Sequence, residues 1–215
     1  MHVEYLAACG HDGNLTRERM EEHWRLLKGS DAVLDDELYE RGVARARILN
    51  TPASKKIDMA AKKGVAKAQS LRDPLLWHLA TMAALAYRGD RHGFVHWVLE
   101  QPETDRATAG WIFLWLDGHA YLRGVTAFTD SHLSSDHILG LLRAACARSE
   151  QVGFVNDRLG LDHEFDADRL KCLRVIEDEE LADGAIVPWS LIGRPFGPPQ
   201  QESRIMLDEG LIIIA

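Results

Sequence analysis

The sequence has few cysteines and no long apolar run, and each absence excludes a class of protein. Its 215 residues include three cysteines, Cys9, Cys146 and Cys172, which are widely spaced and odd in number. This usage is typical of a reducing compartment and not of a disulfide framework. No apolar segment of signal-peptide length follows the initial Met-His-Val-Glu. The sequence therefore predicts a cytoplasmic protein with no membrane anchor.

Basic residues are also in the minority, since 25 Lys and Arg stand against 33 Asp and Glu and give a net charge of −8. Nucleic-acid-binding proteins usually carry a basic face, so we expect no nucleic-acid partner. The basic amphipathic segment 54–72 has mostly small apolar residues, which predicts a helix packed on the core and not a membrane-binding helix. The acidic balance favours solubility and a basic partner.

Motifs of common enzyme classes are missing as well. The chain has no P-loop, no dinucleotide fingerprint and no G-x-S-x-G elbow. The segment 134–137, Ser-Ser-Asp-His, holds the residue types of a hydrolase triad, but neighbours on one helical turn cannot converge as a triad must. None of the cysteines lies in a basic helix start that would activate a thiolate. We therefore expect no catalytic residue and no cofactor.

The residues that are present organise the chain as helices. Asp73 and Pro74 are a strong helix start, because Asp caps free N–H groups and Pro suits the first helical position. Gly89 and Gly118 are typical helix ends. The segment at about 105–117 contains the run Trp-Ile-Phe-Leu-Trp-Leu, which is apolar on every face. It is shorter than the about 20 residues that span a bilayer, so we predict a central buried helix.

These signals predict a mainly α protein: a multi-helix orthogonal bundle around the central helix, with a small antiparallel β element at the C-terminus. The length suits a single domain over 1–215. Within it we distinguish N-terminal helices (1–72), a helical core (73–184) and a C-terminal β or irregular segment (185–215).

The C-terminal segment carries the β signals. Residues 185–192 are β-like, and two short strands are predicted at 204–207 and 211–214 around a tight turn. An exposed Leu-Ile-Ile-Ile end would be an aggregation hazard. We therefore expect residues 211–214 to be buried, either in a small sheet of this chain or in a homo-oligomer.

The region Leu75–Tyr121 resembles a family of uncharacterised bacterial helical domains. The residues that carry the resemblance are mostly of core type, namely Trp77, Asp90, Gly93, Pro102, Thr108, Ala109, Ile112, Phe113, Trp115, Leu116 and Tyr121. The family is defined without a function and supplies no catalytic residues. Small bacterial proteins of this kind are often encoded beside secreted toxins as immunity proteins, and the resemblance implies that role by analogy.

Two clusters have residue types that bind metal. His92 and His96 are four residues apart, the spacing that lets two imidazoles on one helix face share a zinc ion. Gly93 stands where the zinc-peptidase motif needs Glu. The segment 162–168, Asp-His-Glu-Phe-Asp-Ala-Asp, is rich in oxygen ligands but lacks the calcium-loop spacing, and acidic residues are common at helix starts. We therefore expect no metal, and keep His92 and His96 as the candidates.

The sequence thus favours a non-enzymatic cytoplasmic bacterial protein that binds another protein, such as a toxin it neutralises as an immunity protein. The candidate partner-binding residues form an acidic run that suits a basic cleft and a fast electrostatic encounter: Glu177, Asp178, Glu179, Glu180 and Asp183. A solvated helix end explains the same run. The alternatives are a metal-dependent hydrolase that uses His92 and His96 with Asp90 or Asp162, and a structural subunit of a larger assembly.

Overall fold

A computed structural model describes residues 16–130, 132–200, 205–208 and 211–214. Residues 1–15, the first part of the predicted N-terminal helical region 1–72, lie outside the described residues. The described residues form two compact units, one ending at Lys56 and one beginning at Ile57. The predicted regions meet instead at 72/73 and 184/185, and the single domain over 1–215 stays a prediction.

Helices predominate in both units, as predicted. The helices are α1 (Arg17–Lys28), α2 (Asp36–Asn50), α3 (Lys62–Ser70), α4 (Pro74–Ala83), α5 (Phe94–Glu100), α6 (Arg106–Trp115), α7 (Gly118–Leu122), α8 (Ser135–Gln151), α9 (Glu164–Glu177) and α10 (Trp189–Ile192). Three short strands accompany them, β1 (Lys56–Asp58), β2 (Ile205–Asp208) and β3 (Leu211–Ile214). A 3-10 turn precedes β1, and a π-helical turn, Ala84–Arg88, extends α4.

The first unit, in its described residues, contains a pair of helices with a small core of its own. Thr16 caps α1 by accepting a hydrogen bond from the backbone N–H of Arg19. Met20, Trp24 and Leu34 are buried together. The indole N–H of Trp24 donates to the carbonyl of Val33 at 3.1 Å, so the turn after α1 is fixed to the helix that precedes it.

The second unit is built around α6, which confirms the predicted central helix. Every residue of α6 from Arg106 to Leu114 is buried, and Trp115 at its end is exposed. The helix contacts α4, α7, α8, α9 and α10. A helix that is apolar on all faces is stable in water only when other helices surround it, and this is the arrangement observed.

The predicted helix starts of this unit are also observed. The carboxylate of Asp73 accepts hydrogen bonds from the N–H groups of Leu75 and Leu76, with Pro74 at the first helical position. Ser134 caps α8 by accepting from the N–H of His137. Gly89, with a φ of 66°, ends the π-helical turn in the left-handed region.

The C-terminal strands pair antiparallel, with Ile205 opposite Ile214 and Asp208 opposite Leu211. β3 is the middle strand of a three-stranded sheet in which β1 is its other neighbour. Ile212 and Ile213 are buried and the two strands pack on α4, so the apolar end is covered within this chain, as expected. The homo-oligomer stays a prediction.

Two local predictions were wrong. The helix expected from residue 54 begins only at Lys62, because Lys56–Asp58 pair with the C-terminal strand instead. The β-like segment 185–192 contains the helical turn α10 and no strand. Pro188 stands directly before that turn, where its missing N–H costs nothing, whereas a central strand would lose a ladder hydrogen bond there.

Candidate functional site

The acidic run forms a surface at the C-terminal end of α9, here called the acidic patch: Glu177, Asp178, Glu179, Glu180 and Asp183. All five side chains are exposed. Glu180 accepts a hydrogen bond from Arg123 at 2.6 Å, and among the described residues the other four have no basic partner. The patch is therefore a concentrated and largely uncompensated negative charge.

The backbone beneath the patch makes this arrangement costly. The N–H of Glu180 donates to the carbonyl of Val175 at 2.9 Å, and that of Glu179 to Ile176 at 3.3 Å. These two bonds are the pattern of a Schellman cap, in which the residue at the position of Glu179 is left-handed and is usually glycine. Glu179 has a φ of 56°. An acidic residue thus occupies a position that favours glycine, at the helix end where negative charge is least favourable.

The two metal-candidate histidines do not share a helix, and the predicted spacing on one helix face is wrong. α5 begins at Phe94, and Gly93 before it is left-handed with a φ of 66°, so His92 lies in the preceding turn. The Nε2 of His92 is 3.1 Å from the carbonyl oxygen of Ala60. His96 lies 3.5 Å from Glu100 on α5. In the described ranges, no three His, Cys, Asp or Glu side chains are grouped so that they could hold a metal ion.

Asp90, a proposed partner of those histidines, is engaged elsewhere. Its side chain is buried, accepts from the N–H of Val95 at 3.1 Å and lies 3.2 Å from Nε2 of His137. Burial raises the pKa of Asp90, while the backbone hydrogen bond from Val95 and the neighbouring His137 act in the opposite direction. The Asp90–His137 pair joins the turn before α5 to α8, which gives Asp90 a structural role.

Two of the four acidic residues in the segment 162–168 form local pairs on α9. Asp166 accepts from Arg169 at 3.0 Å, and Asp168 accepts from Lys171 at 2.7 Å. Pairs three residues apart on a helix are a common surface arrangement. Asp162 differs, because it lies before the helix at the rim of a pocket.

This pocket, here called the His78 pocket, has a volume of about 190 Å³. Its wall is mainly apolar, with aromatic rings from Trp111 and Phe165 whose centroids are 6.4 Å apart. α4 supplies further apolar residues, and Leu159 and Leu161 come from the loop between α8 and α9. His78 is the buried polar side chain in this wall and is 8 % exposed.

The imidazole of His78 is held by one contact from the central helix. Its Nδ1 lies 3.2 Å from the hydroxyl oxygen of Thr108. Burial lowers the pKa of His78 to about 4, although the nearby carboxylate of Asp162 acts in the opposite direction. The ring is therefore neutral at pH 7, and in the described part of the chain Nε2 has no hydrogen-bond partner.

A buried polar network at the start of α6 fixes the loop that supplies Leu159. Asp105 caps α6 by accepting from the N–H of Ala107, and its second oxygen accepts from the N–H groups of Arg158 and Leu159 at 2.8 and 3.2 Å. A carboxylate that accepts three backbone hydrogen bonds is rigidly placed. The pocket wall is thus tied to the central helix.

Arg106 extends this network on the other side. It is 3 % exposed, donates to Asp157 at 2.7 Å and to the carbonyl of Pro195 at 2.9 Å, and its guanidinium lies 4.0 Å from the ring centroid of Phe196. A planar guanidinium can bind a carboxylate, donate to carbonyls and stack on a ring together. The contacts connect the loop between α8 and α9 to the loop that follows α10.

The cysteines show no sign of activation. Cys146 and Cys172 are buried and free, which confirms the interpretation that they are core residues. Burial raises the pKa of each thiol to about 12, so neither is a thiolate at neutral pH. Cys9 lies outside the described residues.

Sequence reasoning missed the His78 pocket. His78 follows Trp77 in an apolar helix, where a histidine reads as one more core position, and Thr108 is 30 residues further along the chain. The available signal was a lone polar residue on a buried face, which needs a partner. The packing of α4 against α6 decides which side chain is that partner and which ring nitrogen of His78 it contacts.

Comparison with protein-family models, with curated proteins and with solved structures gave no match to this chain. Within the described ranges, no helix combines the length and the apolar character needed to cross a bilayer.

Proposed function

We propose that this protein is a non-enzymatic cytoplasmic domain that binds another protein through its acidic patch, and that it neutralises a toxin in the manner of an immunity protein. The observation that carries the proposal is Glu179, an exposed acidic residue held left-handed at a helix C-terminus. Both its φ and its charge oppose stability there. Strained backbone positions cluster at functional sites, which supports a role of this residue in binding.

The composition of the patch indicates the chemistry of the partner. Four exposed carboxylates that form no ion pair with the described basic residues suit a partner surface rich in Lys and Arg. Complementary charge of this kind accelerates the encounter of two proteins more than it lengthens the life of the complex. A basic cleft, such as one that binds nucleic acid or another anion, provides such a surface.

The experiment is a capture from a lysate of the organism that carries the gene, with three forms of the protein as bait. The first is the wild type. The second neutralises the patch with Glu177→Gln, Asp178→Asn, Glu179→Gln and Asp183→Asn, and keeps Glu180 because it pairs with Arg123. The third is the matched control with Glu22→Gln, Asp31→Asn, Glu40→Gln and Glu150→Gln, four exposed acids elsewhere. Both variants change the net charge from −8 to −4.

We expect one stoichiometric basic partner that the wild type and the control retain and the patch variant loses. With the purified partner, the patch variant should associate about tenfold more slowly, and its association rate should depend less on salt. The partner should also be toxic when expressed alone and harmless when co-expressed with the wild type. Equal association rates and equal salt dependence for both variants would refute the role of the patch. A captured partner that is not toxic would refute the immunity role alone.

A further inference from the structure

The His78 pocket has the features of a ligand site that the acidic patch does not use. It combines an apolar wall with a polar side chain that is more than nine-tenths buried. Because Thr108 occupies Nδ1, the atom that remains for a ligand is Nε2. His78 lines the pocket, and no residue of the described ranges forms a hydrogen bond with Nε2. A few polar groups in an apolar cavity are typical of small-molecule sites.

The size of the pocket restricts the ligand to about one ring. A dry apolar cavity of about 150 Å³ accepts benzene. The His78 pocket is somewhat larger, at about 190 Å³, and accommodates a ring with one substituent. Trp111 and Phe165 both line the pocket, and aromatic side chains of this kind contact an aromatic guest favourably.

The charge around the pocket determines which substituent fits. The carboxylate of Asp162 lies at the rim and repels an anionic ligand. A neutral imidazole presents either a donor or an acceptor at Nε2, depending on its tautomer. A hydroxyl group satisfies both cases, because it donates and accepts.

We propose that the His78 pocket binds a small neutral phenol, with the ring against the wall that contains Trp111 and Phe165 and the hydroxyl on Nε2 of His78. The bound hydroxyl satisfies the ring nitrogen that the described residues leave without a partner. The site is separate from the acidic patch, so the two proposals stand or fall independently.

The test compares three probes of similar size, namely phenol, toluene and benzoate, by calorimetry and by the indole N–H resonance of Trp111. For seven non-hydrogen atoms, we expect phenol to bind with a Kd of about 0.1–1 mM. Toluene lacks the hydroxyl and should bind about tenfold more weakly. Benzoate should bind at least tenfold more weakly than phenol because of Asp162.

Two variants separate recognition from filling of space. His78→Leu removes Nε2 and should abolish the preference for phenol over toluene while both still bind. Leu79→Trp fills the pocket from a half-buried position on α4 and should abolish binding of both probes. Near-UV circular dichroism checks that each variant folds. If His78→Leu does not fold, the wild type and Leu79→Trp still decide the question.

Three results would overturn the proposal. The first is the absence of saturable phenol binding to the wild type. The second is equal affinity for phenol and toluene. The third is phenol binding that Leu79→Trp leaves unchanged, which would place the ligand elsewhere. N-acetyltyrosinamide carries the same phenol on a peptide backbone, so tighter binding of this probe than of phenol would assign the pocket to a tyrosine of a partner and overturn a free ligand.

Discussion

Replacing Glu179 with glycine should make the protein more stable, because the residue combines two unfavourable terms. A left-handed conformation costs an L-residue about 1–2 kcal/mol, and glycine avoids this cost. Glycine has its own cost of about 0.5–1 kcal/mol, because it loses more conformational entropy on folding. Removing a negative charge from the end of α9 adds about 0.3–1 kcal/mol at low salt. We therefore expect the free energy of unfolding to rise by about 1 kcal/mol. For a protein of this size, that is an increase in Tm of about 2–4 °C.

The assay is urea unfolding of three variants, in low salt and in 1 M NaCl. Glu179→Gln removes the charge and keeps the side chain, so its gain should be about half that of Glu179→Gly and should fade in high salt. The part of the stability gain of Glu179→Gly that comes from relief of the left-handed strain should persist in 1 M NaCl. Glu177→Gly is the matched control, because Glu177 is the last residue of α9. It removes a charge from the same helix end, but glycine at a helical position costs about 0.5–1 kcal/mol. Its free energy of unfolding should therefore stay near that of the wild type in low salt and fall below it in 1 M NaCl. If Glu179→Gly were no more stable than Glu179→Gln, the left-handed strain would be refuted.

Three further predictions concern the core of the second unit. The pKa of His78 is about 4 in the folded protein and near 6.5 in the unfolded chain, so the contribution of His78 to the free energy of unfolding is fully present above pH 6.5 and should fall by up to about 3 kcal/mol as the pH drops to 4. His78→Leu should lose this pH dependence when urea unfolding is measured across that range. A pH dependence equal to that of the wild type would contradict the prediction. Arg106→Lys should cost about 2–4 kcal/mol, since lysine cannot bind Asp157, donate to several carbonyls and stack on the Phe196 ring at once. Arg123→Lys on the exposed surface should cost under about 1 kcal/mol. Similar losses for the two in urea unfolding would argue against the network. Gly160→Ala should destabilise the protein by more than about 2 kcal/mol, because the added Cβ would lie 1.9 Å from the backbone oxygen of Pro198. Gly140→Ala is the control, since its Cβ would lie in open space on α8, and it should be neutral or stabilising. Thermal unfolding of both variants checks the difference.

The sequence by itself determined the features that depend on neighbouring residues. Asp73 and Ser134 begin helices because a cap needs only N–H groups within three residues of it, and those are fixed by the local chain. The burial of α6 followed from a run that is apolar on every face. The C-terminal hairpin followed from two short apolar runs with a turn between them.

Tertiary structure alone decided the features that depend on distant partners. Lys56–Asp58 became a strand because β3, about 150 residues later, offers its edge, and no local signal records that edge. His78 acquired a depressed pKa because the packing of the helices buries it, and Thr108, from another helix, lies within hydrogen-bond distance of its Nδ1. Local caps and periodicity act over a few residues, whereas burial and strand pairing depend on packing between segments, so the candidate ligand site emerged only from the folded chain.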